Sequence, residues 1–214
     1  MQPDTRSRLL QAAERILIED GVRGLTTRRV GDLSGLNPTL ITYHFGTVAA
    51  LLARLLDDNL APMLRDLARI GDPVPASEDV LDTKIRRWLA PFLAPAAYNP
   101  RGRMLVVLDE IAAHGEADVS NRLMTLMAQV ADSVLAQLQP LLPDLSPEEL
   151  RTRMRFIGGA ALGPPPRSRL SLDQDDPKMG DAALDALVRF ARAGLTGGAT
   201  PAKPMLTEAA QAWH

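Results

Sequence analysis

The sequence predicts an all-α fold, and three observations carry that expectation. Apolar residues recur at intervals of three and four along almost all of the 214 residues, a spacing that winds them onto one face of a helix. No run alternates apolar and polar residues for long enough to make a convincing strand. Residues that start and stop helices then divide the periodic runs into about nine segments.

From Thr5 to Asp20, the residues Leu9, Leu10, Ala13, Ile16 and Leu17 share one face, and Gly21 supplies a left-handed stop. Thr26 and Thr27 can cap a second helix, with Val30 and Leu33 inward and an end at Ser34-Gly35. Asn37 caps a short third helix that runs to about His44, with Pro38 first in it, where a missing N–H is harmless. Gly46 and Thr47 open a long fourth helix carrying Val48, Leu51, Leu52, Leu55, Leu56, Leu60, Met63, Leu67 and Ile70 on one side. Pro62 inside it predicts a kink.

The run GDPVPA, residues 71–76, reads as a linker. Beyond it, helices are expected from Ser77 to about Pro95, from Pro100 to His114, from Asp118 to about Leu142, from the strong start Ser146-Pro147-Glu148-Glu149, and from Met179 to Leu195. Between the last two, the aperiodic residues 163–177 read as a loop. The organisation expected is a small helical module over residues 1–47, a larger helical module over 48–197, and a flexible tail over 198–214.

Composition excludes several functions. Without cysteine there are no disulfides, thiolate metal sites or thiol nucleophiles, and a reducing cytoplasm is the expected compartment. No stretch approaches the roughly 18 uninterrupted apolar residues of a membrane span. A net charge of −2 rules out a polybasic wrapper of nucleic acid. Residues 1–56 nevertheless carry a net +2 and the rest −4, a division that leaves room for a compact reader of DNA. Metal-ligand spacings, a nucleophile elbow, a P-loop and a dinucleotide fingerprint are all missing, so neither an enzyme nor a cofactor is expected.

Residues 27–44 decide the functional reading. A helix-turn-helix needs a small residue within its first helix, a glycine at the sharp turn and apolar residues on both inward faces. Gly31, Gly35 and the set Val30, Leu33, Leu36 and Ile41 occupy those places. An ordinary helical hairpin also turns on glycine; what favours DNA binding is the sum of small residue, turn glycine, N-cap, apolar lock and short second helix. The expected DNA contacts are Thr27, Arg28 and Arg29 at the start of the second helix, then Asn37, Pro38, Thr39, Leu40, Thr42, Tyr43 and His44 in the helix entering the major groove. Arg6 and Arg8 can reach the backbone at the edge.

Residues 5–56, TRSRLLQAAERILIEDGVRGLTTRRVGDLSGLNPTLITYHFGTVAALLARLL, resemble the tetracycline-repressor (TetR) family of one-component regulators. The most specific parts are Ala12-Ala13, Gly21, Thr26-Thr27, Gly35 and Tyr43-His44-Phe45-Gly46. The resemblance implies an all-helical homodimer, a three-helix DNA-binding unit and a divergent C-terminal domain for ligand and dimer contacts. Two positions depart from the family pattern: Val48 stands where a phosphate-binding lysine is usual, and Thr42 where a backbone-touching tyrosine often stands, with Tyr43 following it.

The segment from Pro100 to His114 is apolar nearly all round, which predicts a central helix. Within it Glu110 and His114 stand at i and i+4, either sharing a proton or anchoring a polar ligand group, or simply paired at an exposed helix end. Candidate pocket residues are Met63, Trp88, Phe92, Tyr98, Leu105, Asp109, Met124, Met127 and Phe156, which suit an apolar or aromatic small molecule. For the dimer interface, Leu150, Met154, Ile157 and Ala161 form one stripe and Leu184, Leu187, Val188, Ala191 and Leu195 another, with Gly158, Gly159 and Ala160 permitting close approach.

The function expected is a transcriptional repressor that binds a palindromic operator as a homodimer and is released by a small-molecule effector. The alternative is a helical small-molecule-binding protein with weak or absent DNA binding.

Overall fold

The computed structural model describes residues 4–93, 103–162 and 177–197, and among them nine α-helices and no strand. The helices are α1 (Thr5–Asp20), α2 (Thr27–Ser34), α3 (Thr39–Phe45), α4 (Val48–Ala68), α5 (Val80–Leu93), α6 (Arg103–His114), α7 (Ala117–Leu138), α8 (Pro147–Leu162) and α9 (Pro177–Thr196). Of the loop expected over 163–177, residues 163–176 lie outside the described residues, as does the tail over 198–214, and Pro177 already belongs to α9.

Local chemistry sets the ends of the first four helices. Asp4 caps α1, its Oδ1 accepting the Ser7 N–H at 2.7 Å, and that bond holds the Asp4 carboxyl below its ordinary range. Thr26 and Thr47 cap α2 and α4 in the same way, accepting from the Arg29 and Ala50 N–H groups. Gly21, Gly35 and Gly46 each close the preceding helix at positive φ, where a Cβ meets steric resistance. Asn37 acts from one place further out than expected: α3 begins at Thr39, whose N–H the Asn37 Oδ1 accepts at 2.9 Å.

One apolar core runs from α1 to α9. Leu9, Ala13 and Leu17 of α1, Leu51, Leu56 and Leu60 of α4, Ile85 and Leu89 of α5, Ile111 of α6 and Leu150 of α8 belong to the same buried cluster. The long α4 passes through Pro62 as one helix and contacts α1, α3, α5, α6 and α7. Leu33 corrects the sequence reading, for its side chain is exposed at 40% while Val30 is fully buried. Three residues on from Val30, Leu33 sits past the edge of so short a helix's apolar face.

The proline-rich segment after α4 is tied down. Arg87 of α5 donates to the carbonyls of Asp72 at 2.7 Å and Pro73 at 3.2 Å, and the Lys84 ammonium donates to the Ile70 carbonyl at 2.7 Å. Two further arginines hold α9. Arg192 bridges Asp79 and Asp82 at the start of α5, and its hydrogen bond lowers the Asp79 pKa. Arg153 of α8 caps the end of α9, donating to the carbonyls of Gly194 and Gly197 at 2.8 Å each.

Candidate nucleic-acid interface

The corner between α2 and α3 is closed by residues too small to keep the helices apart. A Cβ on Gly31 would lie 2.6 Å from Pro38 Cγ and 3.0 Å from the Leu36 carbonyl oxygen, so only glycine lets the chain turn this tightly. Gly35, at φ +65°, donates its N–H back to α2, and the Leu36 N–H reaches the Gly31 carbonyl at 3.1 Å. Ile41, fully buried, then fixes the inner side of α3.

What remains outward on α3 is a small polar and aromatic face. Thr39, Thr42 and Tyr43 are exposed, Tyr43 at 81%. Asn37 is exposed beside them, although its Oδ1 is occupied by the Thr39 N–H and hydroxyl. His44 is half-buried, stacked edge-on between the rings of Tyr43 and Phe45 at centroid separations of 5.0 and 6.3 Å. Two of the expected contacts are only partly exposed: Pro38 fills the space against Gly31, and Leu40 packs half-buried on the core, so both help to shape the corner.

The cations divide as well. Arg28 is free to reach solvent, its side chain 90% exposed and only loosely opposite Asp32 at 3.9 Å, and Thr27 is exposed beside it. Arg29 pairs back to Asp20 at the end of α1. Arg8, expected at the DNA edge, donates from Nη2 to the Ser34 carbonyl at 2.6 Å. Arg6 lies over the Phe45 ring, 5.4 Å from its centroid. Val48, where a lysine would add a cation, is half-buried and packs on the core.

Glu110 has a contact that the sequence did not suggest. Its carboxylate does more than pair with His114: Oε2 accepts the Val22 N–H at 3.2 Å, 88 residues away, with His114 Nδ1 at 3.5 Å. A Cβ on Gly21 would stand 2.7 Å from that same oxygen. Thus α6 touches the backbone junction that follows α1, and the only sequence signal was a glycine whose neighbour across space was unknown.

The candidate pocket residues scatter. Met63 and Trp88 are buried, Phe92 and Met127 pack half-buried against the same cluster, and Asp109 is half-buried on α6. Met124 and Phe156 are corrections, exposed at 58% and 72%, because each lies off the buried stripe of its helix. Tyr98 and the side chain of Leu105 lie outside the described residues.

The two expected dimer stripes also face inward. Leu150, Met154, Ile157, Ala161, Val188, Ala191 and Leu195 are buried in the chain's own core, and Leu184 and Leu187 pack half-buried against it. The seven buried residues are spent on the fold of one chain, and only Leu184 and Leu187 keep part of their surface. The outward faces of α8 and α9 present Phe156 and Phe190, the latter at 58% exposure. Both aromatics stand out of phase with their stripes, and that signal was available in the sequence.

Comparison with known proteins fits this arrangement. Residues 9–55 match the model for bacterial regulatory proteins of the tetR family, and residues 82–194 match the tetracyclin repressor-like C-terminal domain. No curated protein matches the sequence. Among solved structures, a TetR-like transcriptional regulator from Rhodococcus sp. RHA1 is similar over 92% of this chain and 100% of its own, with a TM-score of 0.70 at 18% identity. The fatty acid degradation regulator FadR of Bacillus halodurans is similar over 92% and 98%, with a TM-score of 0.62 at 13% identity. The multidrug binding protein EbrR, in complex with malachite green, is similar over 87% and 98%, with a TM-score of 0.56 at 23% identity.

Proposed function

The chain belongs to the TetR family of bacterial transcriptional regulators, and from that premise we propose that it is a repressor which binds a palindromic operator as a homodimer and is released by a small-molecule effector. The observation that carries this reading is the face of α3: Thr39, Thr42 and Tyr43 outward on a helix whose inner side is pinned by Ile41 and the Gly31–Pro38 contact. Side chains on a short, rigidly held helix are what direct reading of base edges requires. Arg28, Thr27 and the α2 N-terminus flank that face as phosphate contacts.

Residues 4–47 then act as the reader and the helices from α4 onward as the body, in a cytoplasmic protein. Phe156 and Phe190 support dimerisation through the outer faces of α8 and α9, since two large exposed aromatics on neighbouring helices form an apolar surface that a second copy would cover. Met63, Trp88, Phe92, Asp109 and Met127 are the side chains proposed for an apolar or aromatic effector.

Val48, packed on the core, is the observation that favours a weaker reader, because one cationic phosphate contact is lost at the start of α4. Selection of bound duplexes from a random pool, combined with the mass of the protein in solution, tests both readings. A dimer that recovers inverted half-sites about one helical turn apart, or a multiple of it, is the expected result. A protein that enriches no sequence at low salt is instead a small-molecule-binding protein.

A further inference from the structure

Two arginines of the reader, half-buried Arg8 and exposed Arg29, have partners within the chain at the two ends of the α1–α2 pair. Arg8 donates to the carbonyl of Ser34, the last residue of α2, across 26 residues of chain, and Gly35 lies beneath it with its Cβ position 3.6 Å from the Arg8 Nη2. That carbonyl is one of the acceptors a helix leaves unpaired at its C-terminus, where positive charge is also favoured. At the opposite end, Arg29 in the first turn of α2 pairs with Asp20, the last residue of α1. Each charge alone is misplaced, a cation at a helix start and an anion at a helix end, and each corrects the other.

We infer that Arg8 and the Asp20–Arg29 pair are positioning residues for recognition: they lock the crossing of α1 and α2, and through the Gly31–Pro38 corner they set the angle at which α3 meets the groove. They hold the reader's geometry and leave the neutralisation of phosphate to Arg28 and its neighbours. This rests on the DNA-reading role of α3.

Salt dependence separates positioning from phosphate contact, because each neutralised phosphate contributes about 0.9 to the slope of log K against log salt. The measurement is binding of the full-length protein to its selected operator and to random duplex at several salt concentrations. Arg28→Met is expected to lower the slope by about 0.9 per subunit and to weaken both duplexes alike. Arg8→Met is expected to leave the slope unchanged and to weaken the operator about tenfold, with random DNA unaffected, so that discrimination falls. Asp20→Asn removes no cation, and is expected to reduce discrimination about threefold, in keeping with the small energy of an exposed pair.

A slope lowered by Arg8→Met together with equal loss on both duplexes overturns the inference and makes Arg8 a phosphate ligand. Unchanged discrimination in a folded Arg8→Met protein also overturns it. Should that variant be unfolded at the assay temperature, Asp20→Asn with wild-type discrimination overturns it in its place. Failure of the wild-type protein to enrich any sequence is a separate result, which removes the operator-binding reading itself.

Discussion

In α2 a Cβ on Gly31 would press into the Pro38 ring at 2.6 Å, whereas in α8 the same addition to Gly158 or Gly159 meets nothing within 4 Å. The two regions use the smallest residue for different ends. Around Gly31 the chain closes a corner on itself, and every neighbour is already in place. Along α8 the small residues leave a smooth outer surface beside Phe156 and, on α9, Phe190. One site is finished within a single chain; the other has its inner face packed and its outer face open.

The largest effect is expected on the open side. Replacing both Phe156 and Phe190 with glutamate should turn a dimer into a folded monomer, since burying one such aromatic is worth about 1.5–3 kcal/mol and an unpaired carboxylate there costs more. Light scattering and circular dichroism check it: a variant that remains dimeric places the interface elsewhere. Gly31→Ala comes next. Overpacking against a proline ring and a backbone carbonyl should destabilise the chain by about 1–3 kcal/mol in urea unfolding, and any folded fraction should lose its operator. Wild-type stability for this variant would show that the corner can relax.

The exposed reading face is expected to behave differently from the corner beneath it. Thr39→Ala with Tyr43→Ala should leave the melting temperature within a few degrees, because both side chains are exposed, yet weaken operator binding about 10- to 100-fold. Full affinity in that folded, dimeric double variant removes α3 from recognition. The smallest effect belongs to Gly159→Ala. With nothing near its Cβ position, the monomer should gain up to about 1 kcal/mol of helix propensity, in contrast to Gly31→Ala. If it also weakens dimerisation, subunit backbones approach closely at that point.

Much of the reader was legible in the sequence. Thr26, Thr47, Gly21, Gly35 and Gly46 each mark a helix end through a side chain or a backbone angle confined to a few neighbouring residues, so the helix boundaries follow from local chemistry. The exposed Thr39, Thr42 and Tyr43 were identifiable for the same reason: the buried position of Ile41 fixes their phase on a short helix. The partners of Arg8 and Arg29 within the chain were not legible, because a guanidinium at the edge of a DNA-binding unit looks alike in sequence whether it meets a phosphate, a carbonyl 26 residues away or a carboxylate on the next helix. Glu110 posed the same difficulty at a separation of 88 residues.

The stripes of α8 and α9 failed for another reason. Periodicity states that a face is apolar and must be covered, but one's own core and a partner subunit cover it equally well. Helix type, length, capping and the glycine turns were therefore determined by the sequence itself, since each depends on contacts within about four residues. The tertiary structure alone decided which apolar faces the chain's own core covers, which arginines find partners within the chain, and that α6 touches the end of α1. Those outcomes depend on which groups meet in space, and that is fixed only when the whole core packs.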